Sequence, residues 1–134
     1  MNRRDFLALT AAVTLMPMAA RAEAVAFTPE VLAAARASGK PVFLDFKASW
    51  CSTCKAQGRV IAALKAENPA YAAGITFIDV DWDTWKNSAL VSAMNIPRRS
   101  TLVVLKGNAE LGRIVAGTGR DQIRALMDAA LAAA

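Results

Sequence analysis

Cys51 and Cys54, separated by Ser52-Thr53, are the only cysteines in a chain of 134 residues that contains no histidine. Residues three apart on a helix return to nearly the same face, within the separation a disulfide requires. If the helix starts at Cys51, its sulfur faces free backbone N–H groups and the positive end of the helix dipole, which favour a thiolate. Cys54, one turn further in, is then the more buried and more protonated thiol. That asymmetry assigns roles in thiol-disulfide exchange: Cys51 attacks a substrate disulfide, and Cys54 resolves the mixed disulfide by attacking Cys51.

What the pair cannot do is equally informative. Two thiolates are half the ligand set of a structural zinc, and the absence of histidine excludes imidazole catalysis and His-rich metal sites. Cysteines this close cannot staple a small secreted scaffold, which relies on several long-range bridges. A rival reading has the two thiolates hold Cu(I), or a metal or cluster shared across a dimer, as a metal-binding or metal-delivery module. No Met or His beside the pair completes a mononuclear site. Asp79-Val80-Asp81-Trp82-Asp83 resembles the start of a calcium loop, but Thr84 stands where glycine is required and Leu90 where the closing glutamate belongs.

A third residue with chemical potential is Asp45, inside the apolar run Val42-Phe43-Leu44-Asp45-Phe46. Burying a carboxylate costs roughly several kcal/mol unless it is paired, neutral or put to use. The plainer reading is a solvated strand end. Asp79, within the next apolar run, is placed to lie beside Asp45 as a second acid.

The elements that must position these residues follow from local signals. Thr28-Pro29-Glu30 starts a helix that Ser38-Gly39 ends, giving a span of about 29–38. Val42 to Phe46 has the continuous apolar pattern of a strand buried on both faces. A helix then runs from the cysteines to just before Asn68-Pro69. Ile75 to Val80 reads as a strand, Thr84 to Met94 as a helix and Thr101 to Lys106 as a third strand. Gly107-Asn108 turns the chain into Leu111 to Ala116, a hairpin partner, and Ile123, Leu126, Met127 and Leu131 fall at helical spacing for a closing helix. This order predicts an α/β domain with a mixed four-stranded sheet and helices on both faces, the crossovers right-handed.

The formal charge of +5 does not point to nucleic acid. Arg3, Arg4 and Arg21 against Asp5 give the first 22 residues +2 of that total. The remaining basic residues are scattered, without the concentrated face that nucleic-acid binding needs. Residues 1–22 read as an export signal: a basic start, an apolar stretch from Phe6 to Ala20 and a small-residue end at Ala20-Arg21-Ala22. The stretch contains Pro17 and is shorter than the roughly 20 residues of a membrane-crossing helix. Asn2-Arg3-Arg4-Asp5-Phe6-Leu7 resembles a twin-arginine signal. Removal of this segment leaves residues 23–134 as the folded domain, and export places both cysteines in the periplasm, where a disulfide persists.

The segment Phe43-Leu44-Asp45-Phe46-Lys47-Ala48-Ser49-Trp50-Cys51-Ser52-Thr53-Cys54-Lys55 resembles the active-site segment of the thioredoxin superfamily, and the similarity in pattern runs over residues 40–131. The resemblance implies a three-layer sandwich and a thiol-disulfide oxidoreductase that uses its own cysteines with no bound cofactor. It further implies that Asp45 relays a proton to the buried cysteine, burial raising its pKa for that work, and that Trp50 flanks the site. Because the sequence shows no counterpart of thioredoxin's first strand and is read as exported, it is more similar to periplasmic members such as the C-terminal domain of the transmembrane disulfide reductase. The partners so implied are thiol or disulfide client proteins and a membrane thiol-reductant transporter as electron donor, with the chain itself a monomer.

The family carries a cis-proline at the start of the third strand, opposite the cysteines. Here Ser100 precedes Thr101, and the nearest proline is Pro97. Either Ser100 takes that position, the reading preferred here, or Pro97 does and 98–100 is an insertion. Ser100 and Thr101 are accordingly the candidates for the substrate-docking edge, with a trans bond before Ser100 and Arg98-Arg99 on the rim. A proline placed at 100 is expected to keep the fold. With no histidine between the cysteines the thiolate is less stabilised than in the most oxidising members, which points to a reductant or a dedicated shuttle.

Overall fold

The computed structural model describes residues 23–134, so the export signal read at 1–22 lies outside the described residues. Five strands form one sheet: β1 (Val25–Ala26), β2 (Val42–Lys47), β3 (Thr76–Asp81), β4 (Thr101–Lys106) and β5 (Ala109–Val115), in the order β1-β3-β2-β4-β5. The pairings β1–β3 and β2–β3 are parallel; β2–β4 and β4–β5 are antiparallel. The sheet thus has five strands where four were expected, and the chain does have a first strand. At two residues, that strand is too short for any alternation to show in the sequence.

The helices are α1 (Pro29–Ala37), α2 (Ser52–Glu67), α3 (Pro69–Gly74), α4 (Trp82–Trp85), α5 (Ala89–Ala93) and α6 (Arg120–Ala132). Thr28 caps α1 by accepting the Val31 N–H at 3.1 Å, and Gly39 leaves it at φ +77°. The helix expected over 84–94 is instead two short turns, because Asp81 and Ser88 each cap a separate one. Asn68-Pro69 does more than stop α2: Asn68 accepts the Ala70 N–H and Pro69 opens α3.

Alternation along the strands divides the core into two layers. Val42, Leu44 and Phe46 pack with Ile78, Val80, Leu32 and Val91 on one side of the sheet. Phe43 and Phe77 pack on the other with Ile61, Leu64, Ile123 and Met127, from α2 and α6. With a period of two, Asp45 shares the Phe43 side, the face covered by α2. The register sets Asp45 opposite Asp79 on β3 and Leu102 on β4. The strand that carries Asp45 therefore ends four residues before Cys51, and the loop that precedes β4 lies across from it.

Candidate active site

Cys51 is the N-cap residue of α2, with extended backbone (φ −89°, ψ 113°). Its sulfur accepts the backbone N–H of Cys54 at 3.1 Å, the place a Ser or Asp oxygen occupies at an ordinary helix start. Both thiols are free. Burial pushes the Cys51 thiol up, but hydrogen bonds from Cys54, Ser100, the Cys54 backbone N–H and Arg99 outweigh it and bring the pKa down to about 7. Burial and the neighbouring Cys51 push Cys54 above its usual value of 9.0. The difference in ionisation expected from the spacing is present; the expected difference in exposure is not. Cys51 is 3% exposed and Cys54 2%, because Trp82 packs against the pair and Ser100 closes over it.

Ser100 is fully buried, and its hydroxyl lies 3.1 Å from the Cys51 sulfur and 3.0 Å from the Cys54 sulfur. The structure thus brings Ser100 to the cysteines and leaves Pro97 exposed. There is no cis peptide bond among the described residues. Ser100 has φ +61°, and its N–H donates to the Phe46 carbonyl at 2.7 Å. A proline fixes φ near −65° and has no N–H, so the expectation that proline at 100 keeps the fold is overturned.

Thr101 is buried, and its hydroxyl donates to the Arg98 carbonyl at 2.7 Å; it braces the loop from within and does not reach the molecular surface. Trp50 does reach it, 55% exposed, with its indole N–H donating to Asp83 at 2.9 Å and the Arg99 guanidinium 4.4 Å above its ring. Arg98 and Arg99 are both half-buried.

Asp45 is 6% exposed, so the solvated-end reading does not hold. Burial raises its pKa to about 7; the Lys47 ammonium pulls it back, and Asp79 and Cys51 add to the rise. The Oδ1 atom has no hydrogen-bond partner among the described residues. It lines a cavity of about 160 Å3 with Lys47, Lys65 and Asp79, where Lys47 and Asp79 stand 3.8 Å apart. Lys47, Gly58 and Ala62 also line a neighbouring open groove that reaches Cys54. Among the described residues no group of three or more His, Cys, Asp or Glu side chains is placed to hold a metal ion.

Gln57 went unnoticed in the sequence, where a glutamine on a helix ordinarily marks a solvated face. It is fully buried, and its amide donates to the carbonyls of Ser100 and Gly117 at 3.0 and 2.9 Å. Gln57→Leu is expected to lower stability by about 1 kcal/mol, because it strands the half-buried Gly117 carbonyl while that of Ser100 keeps the Ala116 N–H. A urea midpoint equal to the parent's would show that Gln57 does not brace this loop.

Comparison with known proteins agrees with this geometry. Residues 23–124 match the family described as thioredoxin-like. An H-type thioredoxin of Oryza sativa subsp. indica is 34% identical over 90 residues, 67% of this chain and 68% of that one. The thioredoxin of Mycolicibacterium smegmatis is 32% identical over 93 residues, 69% and 80% of the two chains. Among solved structures, the Trxlp protein of Edwardsiella tarda superposes with a TM-score of 0.67 at 30% identity, covering 81% of this chain and 98% of its own. The fold, the Cys-x-x-Cys segment at the start of α2 and these relatives together make the chain a member of the thioredoxin superfamily and a thiol-disulfide oxidoreductase.

Proposed function

We propose that the protein is a periplasmic reductant or dedicated shuttle, in which Cys51 attacks, Cys54 resolves and Asp45 handles the proton. The observation that carries the assignment is the inequality of the two thiols: Cys51 caps the helix and is lowered to about 7, whereas Cys54 is raised. The Cys51 thiolate attacks a client disulfide, forming one S–S bond to the client and releasing the other client sulfur as a thiolate. Cys54 then gives its proton to Asp45, attacks the Cys51 sulfur and expels the second client sulfur. The client gains two electrons and the Cys51–Cys54 disulfide holds the oxidation.

Asp45 suits this work because a carboxyl poised near 7 accepts and returns a proton at working pH. The groove and the cavity that share Lys47, Gly58 and Ala62 support a path between Cys54 and Asp45. Trp50 and the Ser100 loop form the edge on which a client docks. A membrane thiol-reductant transporter returns electrons to the disulfide, and the chain works as a monomer.

The location rests on the sequence of residues 1–22, with Arg3-Arg4 ahead of the apolar stretch. The test is acid trapping of cells followed by fractionation and thiol labelling. The expected result is a periplasmic protein with both cysteines reduced, and retention in the cytoplasm when Arg3-Arg4 is changed to Lys-Lys. A periplasmic pool trapped as the disulfide would make the protein an oxidant. Undiminished export of the Lys-Lys variant would assign the general secretory route.

A further inference from the structure

We propose that Ser100 is a catalytic residue serving both cysteines in turn, its hydroxyl hydrogen following the negative charge from Cys51 to Cys54. The inference deepens the exchange reading above and rests on it. Three observations carry it. The hydroxyl lies at nearly equal distances, 3.1 and 3.0 Å, from the two sulfurs. The residue is fully buried, so no bulk water competes for the bond. The backbone sits at φ +61°, where residues other than glycine are uncommon and are held only when their surroundings enforce it. The enforcement is visible: the Ser100 N–H donates to Phe46, and its carbonyl accepts from both Ala116 and Gln57.

A hydroxyl has one hydrogen and two lone pairs, and it rotates to suit its neighbours. In the reduced protein it donates to the Cys51 thiolate, to which the Cys54 thiol also donates, and its oxygen stays within reach of the Cys54 sulfur. Once Cys51 is bonded to a client sulfur it carries no charge, and the hydrogen turns to Cys54, stabilising the thiolate as it forms. Cys54 loses its proton to Asp45, and its sulfur bonds to that of Cys51. The Cys51–client bond breaks, and its electron pair leaves on the client thiolate. The hydroxyl itself gains and loses nothing. A single donor thus raises the thiolate fraction available at neutral pH for both attacks, since charge-assisted hydrogen bonds are the strong ones and a dry site preserves them.

The charged groups around the pair, Arg99, Asp45, Lys47, Lys55 and Arg59, are left in place by the test. Ser100→Ala keeps the side-chain volume close to the parent's, and Ser100→Gly also relaxes the backbone, so that a folding defect is told apart from loss of the hydroxyl. Two pH profiles are measured with a disulfide-bonded model peptide. One is the rate of mixed-disulfide formation in a Cys54→Ser background. The other is the rate at which the second peptide thiol is released, on decay of the mixed disulfide, in a single turnover of the Cys51/Cys54 protein. Both variants are expected to shift both midpoints upward and to slow each step about tenfold at pH 7. Unmoved midpoints overturn the proposal, and so does a shift in the first step alone, which would leave Ser100 serving only Cys51. Failure of the Ser100-containing protein to form any mixed disulfide would instead overturn the exchange reading on which the proposal stands.

Discussion

Replacing Asp45 with asparagine is expected to make the protein more stable at pH 8 and at the same time a poorer catalyst. In an open chain this carboxyl titrates near 3.8, and in the folded protein near 7. Below about pH 4 it keeps its proton in both states and costs the fold little. Between those two values the unfolded chain releases the proton while the folded one retains it, so stability falls as pH rises. Above about 7 the full penalty stands, on the order of 4 kcal/mol at 1.36 kcal/mol per pKa unit. Asparagine has nothing to titrate. Urea unfolding at pH 5 and pH 8 is therefore expected to show the variant gaining on the parent by a few kcal/mol as pH rises. Client-thiol release near pH 7 is expected to slow by about 100-fold or more, the usual scale of general acid–base assistance. A parent whose stability is flat from pH 4 to 8 would mean that Asp45 is not held protonated by the fold.

The second large effect concerns which thiol reacts. The reduced protein is expected to be alkylated by iodoacetamide at Cys51, with a rate rising around pH 7, while Cys54 stays unmodified. The thiolate is the reactive form; at pH 7 about half of Cys51 is ionised, whereas burial and the neighbouring Cys51 hold Cys54 as the thiol, so Cys51 is expected to be labelled at least about tenfold faster. Because both sulfurs are almost fully covered, ionisation and not access decides the outcome. Peptide mapping that found equal labelling, or Cys54 first, would reverse the roles.

Much of this arrangement was legible in the sequence because the signals were local. Spacing put Cys51 and Cys54 on one helix turn, and an unbroken apolar run made Asp45 anomalous before any contact was known. Asp79 followed, since strands of equal pattern align their anomalies when they pair. Ser100 was located only through the resemblance, and what it does there was not legible, because its hydroxyl meets sulfurs 46 and 49 positions away. Gln57 left no signal for the same reason: its partners are 43 and 60 residues distant. The low exposure of Cys51 was missed because helix-start reasoning counts N–H groups and says nothing about a side chain from another loop. Strand β1 and the two short turns at 82–93 lie below the length at which periodicity can be read.

The central claim is that Cys51 forms the bond to the client and Cys54 breaks it. The most direct measurement is mass spectrometry of Cys54→Ser and Cys51→Ser proteins after exposure to a disulfide-bonded peptide. Cys54→Ser is expected to accumulate one peptide per chain, joined through Cys51, and Cys51→Ser to carry none. A stable adduct on Cys54 in the Cys51→Ser protein, with no adduct in Cys54→Ser, would contradict it.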